Sequence, residues 1–282
     1  MVESVPFWAN WFVWRDAMIV SLLSASVLAY LGVWVNLKRA VYVPLALSQV
    51  SSVGVVFAYL CASWLGIHPH DQHGCGILLD PAWMSLLFAL LTAFWFAKSH
   101  DESSLAVVVS YLLSSAAVLI LGGFVRQDLH DLQSVLFGNA VLVDTAQIFY
   151  VGTAALITIL VHTLMYRRFL FVSFDPGAAG AAGLRVFRTE VIIYASIALM
   201  ISVATRAIGA LPAFGLMILP ALAGLRLGRS MHRAFLFAVL TSILSASLGY
   251  YVSFVLGFPT GASMVAVAGL FYLGTRIVPR NG

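Results

Sequence analysis

Charge is scarce in this chain. Asp, Glu, Lys and Arg make up 9% of its 282 residues, against about 25% in an ordinary soluble domain. Such a shortage excludes a conventional solvated surface. The two cysteines, Cys61 and Cys75, exclude a disulfide framework. No G-x-x-x-x-G-K-[ST] loop occurs, so the chain has no phosphate cradle for ATP, and no H-E-x-x-H pair marks a hydrolytic metal site. No Lys/Arg cluster interleaves with aromatics, which argues against nucleic acid as a partner despite a net charge of +4. Before Arg15 there is neither a basic residue nor a small-residue cleavage site, so the first apolar run reads as a retained helix.

Long apolar runs take up most of the chain: 62% of residues are hydrophobic and the mean hydropathy is +1.00. A bilayer core of about 30 Å needs about 20 helical residues, and segments such as 187–208 supply them. The runs are continuous and do not alternate in polarity, which selects a helical bundle over a barrel. Spans are expected at about 15–36, 42–66, 82–98, 104–124, 146–166, 187–208, 211–226, 233–256 and 260–278. The segments 82–98 and 211–226 are short enough to leave eight or nine transmembrane helices open. With the N-terminus outside, 12 of the 15 basic residues fall on cytoplasmic connections, among them Lys38, Arg39, Lys98, Arg167, Arg168, Arg185 and Arg188. The reverse orientation violates the positive-inside rule. The expected fold class is therefore an all-α integral membrane protein embedded in lipid, a polytopic bundle with its C-terminus cytoplasmic.

Asp175-Pro176 carries a helix-start signal, an N-cap carboxylate followed by proline at the first helical position. Gly183 supplies a stop. Together they predict a short cytoplasmic helix over about 175–184, between the fifth and sixth spans.

That segment, Phe174–Leu184, resembles the permease subunits of zinc and manganese ABC importers (the ABC-3 type). Further matches follow in order: Lys38-Arg39 with Ala46-Leu47-Ser48 and Gly54; Leu136-Phe-Gly138-Asn; Ile208 through Pro220-Ala; and Phe258-Pro259-Thr260-Gly261. The resemblance covers nearly the whole chain. It implies a single permease domain over 1–282 in a bacterial plasma (inner) membrane, working beside a second copy of itself. It also implies a separate ATP-binding subunit docked on Asp175, Pro176, Gly177 and Gly183, and an extracytoplasmic metal-binding protein. The chain itself is then a transport subunit and not an enzyme. Zinc or manganese is its cargo, zinc being preferred, with no stably bound cofactor. The bare alternative for the 175–184 helix is an interfacial connector.

One departure stands out. In the family the second span carries an Asp and, four residues later, a His, which share a helix face and can hold a divalent cation. The matching residues here are Leu45 and Gln49, and no Asp, Glu or His lies between Val41 and Ala62. Leucine cannot ligate, and a neutral amide is a poor substitute for imidazole. What remains is a polar, uncharged stretch of Ser48, Gln49, Ser51 and Ser52. Ser48, Gln49 and Ser52 are candidate lining for a transport path. Equally, they are side chains that hydrogen-bond within and between packed helices. Either metal crosses without a fixed intramembrane site, or the permease carries a non-metal cargo.

The outer loop after the second span offers His68, His70, Asp71, His73 and Cys75 within eight residues. His-x-His and His-x-x-His spacings can converge on one ion from a turn, so the first four residues are assigned to metal capture. The alternative is a solvated loop or a contact for the binding protein, and that is the reading preferred for Asp128, His130 and Asp131. Within the membrane, Arg15 and Asp16 are expected to pair or snorkel at an edge, Glu190 to pair locally with Arg185 or Arg188, and His162 to be a packed core residue. Pro212 and Pro220 leave a broken seventh span or a simple kink open. Two further function classes stand beside the importer. An ATP-independent ion-coupled transporter would need a chain of buried carboxylates, which the sequence lacks. A membrane metalloenzyme would need a general acid or base at depth.

Overall fold

The computed structural model describes residues 11–65, 80–98, 105–124 and 145–277. Ten helices are present among them: α1 (Trp11–Leu37), α2 (Tyr42–Trp64), α3 (Pro81–Lys98), α4 (Leu105–Phe124), α5 (Thr145–Phe174), α6 (Pro176–Ala181), α7 (Val186–Ile208), α8 (Ala210–Leu227), α9 (Met231–Leu256) and α10 (Thr260–Ile277). Eight of these, α1–α5 and α7–α9, are long and apolar enough to cross a membrane. α10 has the same 18 residues as α3 and α8, but Thr260, Gly261, Ser263, Thr275 and Arg276 dilute its apolar content. The expectation of eight or nine spans is met with that one helix at the margin.

Ring and polar contacts show how the helices alternate in direction. At one end Lys38 meets Glu190, Phe94 meets Phe187, Trp34 meets Phe169 and Phe235, and Arg226 meets the last turn of α10. At the other end Trp14 meets Tyr250 and Phe57 meets Phe88. The first end gathers Lys38, Arg39, Lys98, Arg167, Arg168, Arg185, Arg188, Arg229 and Arg233, the asymmetry expected of an up-and-down membrane bundle.

α1, α2, α7 and α8 form the buried centre, and α4 is the least covered helix. Small residues let these helices approach. Any side chain on Gly32 would strike the Met217 carbonyl of α8, and one on Gly54 would strike Met84 and Ser85 of α3. Such close backbones are how helices gain contact in lipid, where there is little hydrophobic force between them. Ser85 Oγ and Ser202 Oγ lie 2.9 Å apart, tying α3 to α7, and Ser242 Oγ donates to the Ala25 carbonyl at 2.8 Å, tying α9 to α1. The periphery is the reverse of a soluble surface. Leu112, Leu113, Leu119 and Ile120 on α4, and Leu236, Leu240, Leu244 and Leu248 on α9, are exposed, as a hydrocarbon solvent requires.

One boundary differs from expectation, and the alternative left open for the seventh span is decided. α5 does not stop near residue 166 but runs through Arg167 and Arg168 to Phe174, because helical hydrogen bonding does not end where the apolar run does. α8 is one continuous helix over Ala210–Leu227 and is not broken. Pro212 stands in its first turn, where an N–H has no helical partner to lose, and Pro220 is buried within the interior. The reversal between α7 and α8 is carried by Gly209 alone, at φ 95°, a conformation closed to residues with a Cβ.

Candidate functional site

The polar segment of α2 divides between two environments. Ser48, Ser51 and Ser52 are fully buried by the chain's own helices. Ser48 Oγ donates to the Leu45 carbonyl at 2.9 Å and Ser52 Oγ to the Ser48 carbonyl at 3.0 Å, both back-bonds to their own helix. Ser51 Oγ has no hydrogen-bond partner among the described residues. Leu45 and Gln49 stand apart from these serines. With Val41, Val53 and Phe57 they form the half-buried stripe of α2, one residue per turn, left partly open by α3, α4, α7 and α8. Gln49 therefore presents the polar group on the open stripe, while the serines lie behind it.

The second site is at the basic end. Asp175, at φ −147°, caps α6, its carboxylate accepting from the Ala178 N–H at 2.8 Å, and Pro176 takes the first helical position. The helix ends where expected. Gly183 at φ 82° sends its N–H to the Gly180 carbonyl, and the Leu184 N–H returns to the Ala179 carbonyl, each at 3.0 Å. That pair of bonds is a Schellman stop. Only Ala179 of α6 is buried; Asp175, Pro176, Gly177 and Gly183 are all exposed. Phe171, Phe174, Arg185, Phe187 and Arg188 are also exposed around it. The capped six-residue helix is thus bordered by an exposed rim that is both apolar and basic.

Glu190 is not paired locally as expected. Its Oε1 lies 2.8 Å from Lys38 Nζ, 152 residues away, with the two side chains 11% and 3% exposed. Arg185 and Arg188 were the nearer choices in sequence, but both point outward. No local signal could have revealed a partner on the α1–α2 joint. Arg15 and Asp16 do pair, at 2.9 Å.

His162 is fully buried among the rings of Tyr30, Trp34 and Phe169. Ser196 Oγ gives its one proton to the Ile193 carbonyl at 2.7 Å, so it accepts from His162 Nε2 at 2.8 Å. The ring is thus assigned the Nε2–H tautomer, with no partner for Nδ1 among the described residues. This is the packed core histidine the sequence suggested. His68, His70, Asp71, His73, Cys75, Asp128, His130 and Asp131 lie outside the described residues. Among the described ones no group of three His, Cys, Asp or Glu side chains could hold a metal.

The chain has relatives across its length. The manganese transport system membrane protein MntC of Listeria monocytogenes is 26% identical over 269 residues, 95% of this chain and 91% of the relative. The high-affinity zinc uptake system membrane protein ZnuB of Buchnera aphidicola is 24% identical over 196 residues, 69% of this chain and 71% of the relative. In the solved structure of PsaBC from Streptococcus pneumoniae in complex with Fab, one chain superposes with a TM-score of 0.78 at 20% identity, covering 94% of this chain and 92% of that one. The match shows a shared fold. A profile of the ABC 3 transport family matches residues 11–278, and the chain belongs to that family.

Proposed function

We propose that this chain is the membrane-spanning permease of an ABC importer for a divalent transition metal, oriented with its basic end in the bacterial cytoplasm. The observation that carries the reading is α6, an exposed, doubly capped helix between two spans, in a member of a transport family that has no phosphate loop of its own. ATP hydrolysis then belongs to a separate subunit seated on Asp175, Pro176, Gly177 and Gly183. Its closure switches the bundle between outward- and inward-open states. The complex holds two copies of the permease and receives its cargo from an extracytoplasmic metal-binding protein.

Zinc is the proposed cargo, because His68, His70, Asp71 and His73 offer the nitrogen and oxygen donors zinc takes. The manganese system to which the Listeria relative belongs favours manganese as a second reading. The proposed path runs beside Gln49, with Ser48 and Ser52 behind it. Lacking a charged ligand there, it passes the ion without a tight stop, since a lone amide holds a dehydrated divalent cation weakly. Co-purification tests the division of labour. A tagged permease from its native membrane should bring down an ATPase, and reconstitution of the pair should give ATP-dependent uptake of zinc or manganese. Uptake of either ion without any ATPase would contradict the assignment.

A further inference from the structure

We propose that Lys38, Glu190 and Tyr194 form a positioning clamp that carries displacement of α6 into the α1–α2 joint, and so into the stripe bearing Gln49. The inference rests on the reading of α6 as the surface driven by an ATPase. Glu190 and Tyr194 are one turn apart on α7, so they share a face. Lys38 occupies both: its ammonium is 2.8 Å from Glu190 Oε1 and 5.4 Å from the centre of the Tyr194 ring, which is itself buried. The pair is nearly closed to solvent, so losing either partner would strand an uncompensated buried charge.

Both ends of the clamp are stiffly connected. From Gly183 the chain passes through the Val186 N–H bond to the Leu184 carbonyl and directly into α7, whose second turn carries Glu190. On the other side Lys38 lies in a tight joint. The Ala40 N–H bonds to the Val35 carbonyl at 3.0 Å and the Arg39 N–H to the Asn36 carbonyl at 3.1 Å. Arg39 holds the left-handed conformation at φ 58°, uncommon for a residue with a side chain. α2 begins at Tyr42, and the Val43 N–H bonds back to the Ala40 carbonyl at 3.1 Å. A push on α6 thus meets no loose segment before α2. Between α7 and the joint, the Lys38–Glu190 contact holds the two at 2.8 Å.

The test uses the permease with its ATPase, with Cys61 and Cys75 replaced by Ser. Spin labels are placed at the exposed positions Ala178 and Tyr42, and a third site at the exposed Leu244 of α9 serves as reference. On trapping with ATP and vanadate, the Ala178–Tyr42 distance should stay constant, while the distances of both to Leu244 change together. In Glu190→Gln the Ala178–Tyr42 distance should change on trapping, and metal uptake per ATP should fall at least tenfold with the ATPase rate kept. The reversed pair Lys38→Glu/Glu190→Lys should restore the constant distance and bring uptake per ATP to within twofold of wild type. It also serves where Glu190→Gln assembles poorly. A constant distance in Glu190→Gln overturns the clamp, as does a reversed pair that behaves like the single variant. Wild-type protein that moves with ATP but takes up no metal sinks the cargo reading alone. Wild-type protein that does not respond to ATP sinks the coupling reading and the clamp with it.

Discussion

Gly32 of α1 lies directly against the Met217 carbonyl of α8, with Ala221 beside it, leaving no room for even a methyl group. Both helices belong to the buried centre, so neither can retreat toward lipid without opening the core. Gly32→Val should therefore cost about 3 kcal/mol or more, seen as loss of the monodisperse peak in detergent or a fall in melting temperature. Gly123→Ala is the control. Among the described residues its site on α4 has nothing within 4 Å, and the change should leave stability equal or raise it by about 1 kcal/mol through helix propensity.

α6 should respond in two separable ways. Asp175→Ala removes the carboxylate that accepts from the Ala178 N–H and should cost the helix about 1 kcal/mol, visible as faster amide exchange over residues 176–181. Gly177→Asp meets only Asp175 Oδ1, at 3.4 Å. It should leave the bundle folded while placing a second carboxylate on the exposed face. Transport-coupled ATPase activity should be abolished with normal thermal stability. Unchanged coupling in Gly177→Asp would count against α6 as the ATPase contact.

For His162 the order of three variants is informative. His162→Ala opens a cavity among Tyr30, Trp34 and Phe169 and should cost about 3 kcal/mol. Ser196→Ala leaves the buried Nε2–H without an acceptor, at about 1–3 kcal/mol. His162→Phe removes the unpartnered Nδ1 and refills the space with a ring, so it should cost least and leave uptake intact. Lost uptake in a stable His162→Phe protein would instead give the imidazole a role in transport.

Sequence periodicity and charge revealed much of this fold, but unevenly. Apolar runs located every span, because length and hydropathy are local properties. Asp175-Pro176 and Gly183 located α6, because caps are written in adjacent residues. The end of α5 was misjudged: Arg167 and Arg168 mark the edge of hydrocarbon and not the end of a hydrogen-bond ladder. Glu190 shows a different limit. Arg185 and Arg188 were its neighbours in sequence, yet its partner comes from a joint 152 residues away, a relationship only tertiary packing creates. The stretch from Ser48 to Ser52 read as one polar face, whereas packing buries the serines and leaves Gln49 half-open.

The most direct test of the central claim is cellular metal content, measured by mass spectrometry under zinc and under manganese limitation, with and without this chain. The account predicts a selective fall in zinc on deletion, reproduced by His68→Ala/His70→Ala/His73→Ala. A selective fall in manganese would keep the importer and change its ion. Unaltered levels of every divalent metal would contradict the account and identify Leu45 and Gln49 as marks of a different cargo.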